Sequence, residues 1–401
     1  MALARPTAPG ARILGTHLVV HPGDAAFANA VMGHGLVRED MHAASICHHG
    51  VVVWPALLAL AEGQAVSGDT LLRSAVVAYE AGARLGRALM DADLARLFRP
   101  TGLVSPIGAA LGGALMLGLP EDATVAAMAL AANTSSGLNQ WPHSGSGDMY
   151  FHPGFAARNA VSCVLLAREG AQASEDALEG EAGLFRAFRR AEAPTISLFT
   201  GGRAEILDVY NKPAPACNFA QTACQAALQL TREDGVRAEE IAAVDVRVSR
   251  AAFAYPGCDF SGPFVRPLQA KMSIQYGVAA VLASGALAES NYARLDVPAV
   301  QRLIDAMRLD VDAGFTQNFP RQQGASVTVR LADGRTVTRT LPDVVPATPH
   351  EVAQRCHEAV AARLGTAGAE RVRTGLDRLP ALADVDVLLM ACDGGPDRED
   401  A

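Results

Sequence analysis

Apolar residues recur every three or four positions through the first half of the chain. This spacing predicts helices with a buried face, and the glycines and prolines between the segments mark their ends. No strand is predicted in this half. The predicted helices are AAFANAVMGHGL after Asp24, residues 52–62, LLRSAVVAYEAGARLGRALM, IGAALGGALMLGL, residues 122–138 and GFAARNAVSCVLLAREG.

The pattern changes near Ser197, where apolar and polar residues begin to alternate. Strands are predicted for VDVRVSR, MRLDVDA, ASVTVRL and RTVTRTL, and the ADG between the last two is a hairpin signal. Helical spacing is interleaved in FAQTACQAALQL and YGVAAVLASGAL and returns over residues 350–390. We therefore predict a mainly α fold, with a large all-α helical domain (1–204 and 349–393), a smaller α+β lid domain (205–348) and a flexible tail (394–401).

The composition narrows the class of protein. Half of the 401 residues are hydrophobic and 19% are charged, which is typical of a folded globular chain. The net charge of −8 and the lack of a basic patch argue against a nucleic-acid partner. Seven cysteines without CxxC spacing indicate reduced thiols. Because no apolar run reaches membrane-spanning length and MALARPTAPGARILG lacks a signal-peptide core, we expect a soluble cytoplasmic protein without a membrane partner.

The polar stretch HGLVREDMHAASICHHG, residues 34–50, is the first candidate site. It holds four of the ten histidines and the acidic pair Glu39 and Asp40, and the buried helix VVVWPALLALAE follows at once. A solvated loop is the simpler interpretation of such a polar run. However, His48 and His49 stand where the loop enters a core, and a histidine pKa near neutrality suits proton transfer.

A second polar stretch, NQWPHSGSGDMYFHPGF, places His143, Asp148, Tyr150 and His152 close together. Its glycines permit a close approach of the backbone to a ligand. It is not a dinucleotide fingerprint, because no predicted strand precedes it. We interpret it as a second candidate functional loop.

The basic residues add further candidates. Only Lys212 and Lys271 are lysines among the 34 basic residues, so either is a candidate for a compact amine function. Arg99 lies in ARLFRPTGLVSP, where two prolines and a glycine predict a break between helices. Its position between Phe98 and Pro100 suggests a fixed guanidinium that binds a carboxylate with two hydrogen bonds.

Together these segments resemble the MmgE/PrpD family, which includes 2-methylcitrate dehydratase, cis-aconitate decarboxylase and iminodisuccinate epimerase. The resemblance covers nearly the whole chain, in AAFANAVMGHGLVRED, CHHGVVVWPALLALAE, VSGDTLLRSAVVAYEAGARLGRAL, FRPTGLVSPIGAALGGALMLGL, FHPGFAARNAVSCVLLAREG, LEGEAGLF, NKPAPAC and AKMSIQYGVAAVLASG. It implies a homodimer that uses neither a metal nor an organic cofactor. Relatives carry roughly fifty more residues before AAFANA, the size of a few helices, so the start is expected to be truncated or that surface covered differently.

The resemblance implies roles for the first polar stretch. His48 matches the histidine of the family's THPS-like motif. The resemblance implies that this histidine is a catalytic acid or base. His49 and Gly50 replace the proline and serine of that motif. Asp40 matches an aspartate of the family's DFDD run, but Val37 replaces another, so one carboxylate is lost.

Residues from the rest of the chain complete the implied site. Arg99 stands where the family's FHP motif has histidine, and Met149 stands where it has an active-site lysine. His152 and Lys212 match family residues. Cys217 falls where the decarboxylases carry histidine.

Tyr276 matches a tyrosine that lines the family's cleft, although a core aromatic is an equally good interpretation. We predict that Arg99 and Lys212 bind carboxylates and that His48 transfers a proton next to one of them. Tyr276 or His152 would be the opposing acid. The further candidates for substrate binding are Asp40, His49, Tyr150 and Cys217.

The predicted function is that of a cofactor-independent lyase, a dehydratase or decarboxylase, on a small di- or tricarboxylic acid. The residues at Val37, Arg99 and Met149 argue against an ordinary methylcitrate dehydratase or aconitate decarboxylase. The alternatives are an epimerase or isomerase of a small dicarboxylate and a metabolite-binding protein that has lost catalysis. A metal hydrolase is disfavoured because no standard ligand spacing is present among Asp40, His42, His48 and His49.

Overall fold

The computed structural model describes residues 10–394. The first part of the chain forms a helical domain, whose core draws on residues 11–185 and 379–388. Most of its buried side chains are alanine, valine and leucine, which let helices pack closely. The helices are α1 (Pro22–Gly35), α2 (Gly50–Ala61), α3 (Gly68–Leu89), α4 (Ala92–Leu97), α5 (Pro100–Met116), α6 (Glu121–Ala132), α7 (Trp141–Ser144), α8 (His152–Arg168) and α9 (Leu184–Arg189).

Two pairs of short antiparallel strands accompany these helices, although none was predicted. The first pair joins β1 (Ala11–Arg12) to β2 (Val19–Val20). The second joins β3 (Asp40–His42), inside the first polar stretch, to β4 (Val209–Asn211). Strands of two or three residues are too short to show an alternating pattern, which is why the sequence did not reveal them.

A second hydrophobic core, formed mainly by residues 214–331, belongs to the lid domain. Its sheet contains β5 (Ile241–Val248), β6 (Met307–Val311), β7 (Ala325–Leu331) and β8 (Thr336–Leu341), in the order β6-β5-β7-β8. β5 and β6 are parallel, the other neighbours are antiparallel, and the predicted β7–β8 hairpin is confirmed. The helices of this domain are α10 (Gln221–Arg232), α11 (Arg250–Ala254), α12 (Pro267–Met272), α13 (Ile274–Ser284), α14 (Pro298–Asp305) and α15 (Ala313–Asn318).

The chain then returns to the helical domain. Two helices form this return, α16 (Pro349–Asp377), which is interrupted at Gly365, and α17 (Asp386–Ala391). The predicted mainly α fold with a smaller α+β domain is confirmed, whereas residues 395–401 of the predicted tail lie outside the described residues. None of the helices within residues 10–394 combines the length and the apolar character needed to cross a membrane.

Two predicted helix boundaries were wrong. The predicted break in ARLFRPTGLVSP is reduced to Phe98 and Arg99, which separate α4 from α5. Pro100 begins α5, because the first N–H of a helix has no intrahelical partner and a proline there loses nothing. In contrast, α6 ends at Ala132 and does not reach Leu138.

The start of α5 and the loop after α6 together determine the position of Arg99. Pro106 lies inside α5 and has no N–H for the carbonyl of Gly102, which instead accepts a hydrogen bond from the N–H of Ser136 at 3.2 Å. Gly137 follows with a φ of 117°. Glycine adopts this angle readily, and it is incompatible with a right-handed helix. Its carbonyl accepts the backbone N–H of Arg99 at 2.8 Å. The loop after α6 thus fixes the backbone of Arg99.

The contact between α3 and α5 depends on small residues. A Cβ on Gly108 of α5 would lie 2.4 Å from the carbonyl oxygen of Ala78 in α3, so the helices would have to separate. We expect Gly108→Ala to lower the free energy of unfolding by about 1–3 kcal/mol. The control is Gly33→Ala on the exposed side of α1, where the nearest atom is 3.9 Å away and a gain of about 0.5–1 kcal/mol is expected. Urea unfolding would measure both, and equal effects would contradict the prediction.

Candidate active site

The helical domain and the lid domain meet at a small cavity, which we call the central cavity. It encloses about 30 Å³ of space for water, enough for about one or two molecules. Two larger cavities flank it. The one of about 280 Å³ shares Met272 with its wall, and the one of about 230 Å³ shares Met41, Ile46, Asn218 and Phe219. The wall consists of Val37, Met41, Ile46, His48, Arg99 and Met149 from the helical domain and Lys212, Cys217, Asn218, Phe219, Tyr255 and Met272 from the lid domain.

Glu39 is the centre of a buried charge cluster beside this cavity. Its Oε1 lies 2.9 Å from Lys212 Nζ, 3.3 Å from His48 Nδ1 and 3.4 Å from His34 Nδ1. Burial by itself would raise the pKa of the Glu39 carboxyl, but Lys212 and the two histidines lower it well below its usual range. Glu39 is therefore ionised, and its Oε2 has no hydrogen-bond partner among residues 10–394.

The β3–β4 pair explains how Glu39 meets Lys212. The register of these strands continues by one residue, so that the two stand opposite each other and the Lys212 N–H donates to the Glu39 carbonyl at 3.4 Å. Opposite charges at such a cross-strand position attract. Successive side chains of a strand point to opposite sides, so Glu39 lies on the same side as Met41, which lines the cavity, while Asp40 and His42 face the helical domain.

The ring of His48 is held in one orientation. Its Nδ1 lies 2.7 Å from the carbonyl oxygen of Asp40, and because a carbonyl only accepts, Nδ1 carries the proton. The lone pair is then on Nε2, the ring nitrogen that does not face the Asp40 carbonyl. Burial lowers the pKa of His48 well below its usual value, although Glu39 acts in the opposite direction. His48 is therefore a neutral base in the wall of the central cavity.

Asp40, a predicted substrate ligand, has its carboxylate turned away from the cavity. It accepts hydrogen bonds from the Tyr79 hydroxyl at 2.7 Å and from the N–H of Gly50 at 3.1 Å, at the start of α2. A Cβ on Gly50 would lie only 2.5 Å from the Tyr79 oxygen, so glycine is required there. Asp40 thus serves His48 through its backbone carbonyl, while its carboxylate anchors the strand to the helical domain.

Arg99 is buried and faces the cavity, and no carboxylate within residues 10–394 pairs with it. One of its terminal nitrogens lies 3.2 Å from Nε2 of His34, and its Nε has no hydrogen-bond partner among the described residues. His34 does not neutralise this charge, because an imidazole is either neutral or positive, and burial lowers the pKa of this ring and favours the neutral form. The predicted break around Arg99 was too long, and the structure places its side chain in the wall of the central cavity.

His152 and Tyr150 lie behind this wall. Burial and the charge of Arg99 lower the pKa of His152 to about 4, and its Nδ1 is buried without a partner in the described region. The ring of Tyr150 stands edge-on to that of His34 at 6.4 Å between centroids, and burial raises its pKa to about 12. Neither belongs to the wall of the central cavity in this conformation.

Tyr276 and His49 are not brought to the cavity. Tyr276 is fully buried in the lid core, and its hydroxyl lies 3.0 Å from the carbonyl oxygens of Asn291 and Arg294. Both ring nitrogens of His49 face serine hydroxyls inside the helical domain, at 3.2 and 3.0 Å, and burial lowers its pKa to about 3. The structure thus shows Tyr276 in the position of a core aromatic.

Cys217 lines the central cavity from the lid side. Its Sγ lies 3.6 Å from Sγ of Cys258, and its N–H donates to the carbonyl of Lys271 at 2.7 Å. Lys271, the second lysine, donates to the carbonyl of Leu36 at 2.8 Å and pairs with Glu289 at 3.2 Å. It therefore joins the two domains and is not part of the cavity wall.

Three residues of this site were missed by the sequence reasoning, namely Glu39, His34 and Tyr255. Glu39 and His34 both lie in the first polar stretch, whose charge and histidine content indicated a site. Nothing in that stretch showed that Glu39 and not Asp40 would face the cavity. Tyr255 had no signal in the sequence, because no polar pattern surrounds it.

One other group of side chains offers ligand atoms for a metal. His42, Glu205 and Asp208 have such atoms within 4.8 Å of one another. However, Glu205 is already paired with Arg84 and Arg87, both at 2.8–2.9 Å, so a cation would have to displace two arginines. Asp40, His42, His48 and His49, the residues considered for a metal hydrolase, do not form such a group, since among the described residues only His42, Glu205 and Asp208 do.

Asp40 should impose a pH dependence on stability. Burial raises its pKa from 3.8 to about 6, so between these values the folded protein binds a proton that the unfolded chain releases. Stability from this group is fully present below pH 3.8 and is lost as the pH rises through about 6. We expect Asp40→Asn to remove this loss, so that its unfolding free energy relative to wild type increases from pH 4 to pH 7. Urea unfolding across this range would test it, and a constant difference would contradict it.

The fold and the site define a two-domain protein with a helical body, an α+β lid and a buried cluster of cations and histidines between them. Comparison of the chain with models of known protein families gives one family for both parts of the chain. The family models of the MmgE/PrpD N-terminal and C-terminal domains match residues 1–197 and 214–369. The chain belongs to the MmgE/PrpD family.

Curated relatives in this family carry related names. The chain is 28% identical over 427 residues to the cis-aconitate decarboxylase-like protein oryM of Aspergillus oryzae, covering 95% of this chain and 84% of that protein. It is 33% identical over 185 residues to the cis-aconitate decarboxylase of Aspergillus terreus, covering 44% and 37%. The human cis-aconitate decarboxylase is 27% identical over 330 residues, covering 79% and 67%. All three are named as decarboxylases or as similar to one.

Proposed function

We propose that the protein is a cofactor-independent lyase that acts on a small di- or tricarboxylic acid by proton transfer next to a carboxylate. The observation that carries the proposal is the buried Arg99 guanidinium, which faces the central cavity without a carboxylate partner in the described part of the chain. A buried charge is costly unless it is paired. A carboxylate of the substrate would provide that pair.

The charges of the cluster support an anionic ligand. Arg99 and Lys212 are cations, Glu39 is an anion, and His34 and His48 are neutral, which leaves one positive charge uncompensated. One substrate carboxylate neutralises it. Charge that develops on a carboxylate during the reaction would then be stabilised by fixed cations in a dry site, where they act most strongly.

His48 provides the base. In a dehydration its Nε2 would take a proton from the carbon next to the carboxylate, and the hydroxide would leave from the neighbouring carbon. In a decarboxylation a C–C bond would break, carbon dioxide would leave, and the electron pair would stay on the substrate until a proton reaches the carbon. Both routes build negative charge beside Arg99 and Lys212, so one arrangement serves either.

The names of the relatives favour the lyase, because all three describe decarboxylases. An isomerase is the second candidate, and one observation favours it. Titratable groups line both walls of the central cavity, His48 on one side and Cys217 on the other. Removal of a proton on one face and its return on the other would invert a carbon.

The size of the cavity has a consequence for binding. A tricarboxylic acid does not fit space for about two water molecules, so binding requires the lid to move or side chains such as Met272 to turn. The flanking cavities of about 280 and 230 Å³ would then join the site. A conformational change of this kind also removes water from the reaction.

The test is proton NMR of the full-length protein in deuterated water with a panel of acids. The panel begins with cis-aconitate and continues with citrate, malate and aspartate. Loss of carbon dioxide or water with deuterium on carbon is expected for the lyase, and deuterium without a change of skeleton would favour the isomerase. Binding without exchange or conversion of any acid would contradict both and support a binding protein.

A further inference from the structure

Proton transfer from His48 calls for a second group on the other wall of the central cavity. Tyr276, the acid expected from the sequence, has its hydroxyl bound to two carbonyls in the lid core. We propose that Cys217 is the catalytic acid that faces His48, and that Cys258 is the positioning residue that stabilises its thiolate. This inference rests on the proposed function and extends it.

The first support is the position of Cys217. It lines the cavity from the lid, while His48 and Arg99 line it from the helical domain. Arg99 is only 6% exposed and its Nε has no partner among residues 10–394, so a ligand bound there would lie between the two walls. In this conformation the space between these groups holds only about one or two waters, so a small substrate that enters when the lid or side chains move would touch both walls.

The second support is the pairing of two buried thiols. Cys217 and Cys258 are 6% and 0% exposed, with 3.6 Å between their sulfur atoms. Either sulfur can be the donor, and when the Cys258 S–H donates to the Cys217 sulfur it lowers the pKa of Cys217, as the N–H of Phe219 also does. Burial raises the pKa of Cys258, which keeps its proton. The pair therefore accommodates one negative charge on Cys217.

Other groups surround Cys217 and affect its charge. Lys212 and Arg99 favour the thiolate, whereas burial opposes it. Of the other acids on the lid wall, Lys212 is held by Glu39, and burial raises the pKa of Tyr255. The titratable and charged groups that face the pair are His48, Arg99, Tyr210, Lys212, Cys224, Tyr255 and Asp259.

The proposed step is balanced without an oxidant or reductant. The S–H bond of Cys217 breaks, and its proton forms a C–H bond with the electron pair that the substrate carries after carbon dioxide or a first proton has left. The thiolate that remains accepts the hydrogen bond of Cys258. Once the product has dissociated, water returns a proton to the thiolate, and His48 releases to water any proton that it took from the substrate.

The test compares four variants in deuterated water, with cis-aconitate and the same panel of acids. We expect Cys217→Ala to lower kcat by about 100-fold to 1,000-fold with KM changed by less than about threefold. Cys163→Ala is the control, a buried thiol of the helical domain outside the cavity wall, and should stay within about twofold of wild type. Tyr255→Phe tests the competing acid and should lose much less of kcat than Cys217→Ala.

The pH–rate profile of Cys258→Ala distinguishes a positioning role from a merely structural one, which would leave the profile unchanged. Activity of an acid is lost as the pH rises through its pKa, and removal of the Cys258 donor raises the pKa of Cys217. The alkaline limb of the pH–rate profile should therefore shift to higher pH in Cys258→Ala and stay in place in Cys163→Ala. An unshifted limb would remove Cys258 from the proposal.

The outcomes separate this inference from the proposed function. An active wild type with an unaffected Cys217→Ala, or with the loss found in Tyr255→Phe instead, overturns the role of Cys217 alone. A wild type that neither converts nor exchanges any acid overturns the proposed function and this role with it. Should Cys217→Ala fail to fold, Cys217→Ser keeps a polar group of similar size, and its hydroxyl is too weak an acid to restore the rate.

Discussion

Replacement of His48 by alanine is expected to lower the turnover rate by about two to four orders of magnitude, the contribution of a positioned acid or base. The reason is that Nε2 of His48 is the neutral base in the cavity wall, oriented by the bond from Nδ1 to the carbonyl of Asp40. The measurement is kcat with whichever acid of the panel reacts. His48→Gln should lose as much, because an amide can donate to the same carbonyl but cannot accept the proton.

The control for this prediction is His350→Ala. His350 is exposed in the first turn of α16 and has no part in the cavity, so its variant should keep the wild-type rate. Circular dichroism would show that the His48 variants are folded. A His48→Ala protein that is folded and retains a tenth or more of the wild-type rate would remove His48 from the mechanism.

Lys212→Met should have the largest effect on stability. Lys212 is fully buried, and its Nζ is 2.9 Å from Oε1 of Glu39, whose side chain is 4% exposed. Methionine would leave the Glu39 carboxylate buried without its main cation, which costs about 3–5 kcal/mol. Urea unfolding followed by tryptophan fluorescence would measure the loss. Lys271→Met is the matched control, with a smaller loss expected because its partner Glu289 is 36% exposed and screened by water.

A double-mutant cycle would show that the loss comes from the charge. Glu39→Gln removes the carboxylate, so the protein with both Glu39→Gln and Lys212→Met should be more stable than Lys212→Met alone. The coupling is expected to reach about 2 kcal/mol or more, within the range for contacting residues. Additive losses, with no coupling between the two substitutions, would contradict the central place of this pair in the buried cluster.

The sequence predicted the class of the fold but not its boundaries. Helical and alternating patterns are local, so they gave the helices, the lid strands and the β7–β8 hairpin. The ends of α5 and α6 depend on a distant contact, in which the carbonyl freed by Pro106 binds the N–H of Ser136. A pattern within one segment cannot report such a contact.

The site divides in the same way. The scarcity of lysine indicated Lys212, the histidine-rich stretch indicated His48, and the break between two helices indicated Arg99. All three line the central cavity. The sequence alone could not test whether Asp40 or Glu39 belongs to the buried cluster. It also could not test whether Tyr276 or a group such as Cys217 lies at the cavity. These choices depend on which way each side chain points.

By itself, the sequence determined the helical body, the α+β lid, the family and the stretch of chain in which the site lies. Only the tertiary structure decided which residues meet. The pairing of β3 with β4 sets Glu39 opposite Lys212, and the alternation along the strand turns Asp40 into the helical domain. The physical reason is that a shift of one residue in that register would exchange the two carboxylates, while the local composition of the segment would stay the same.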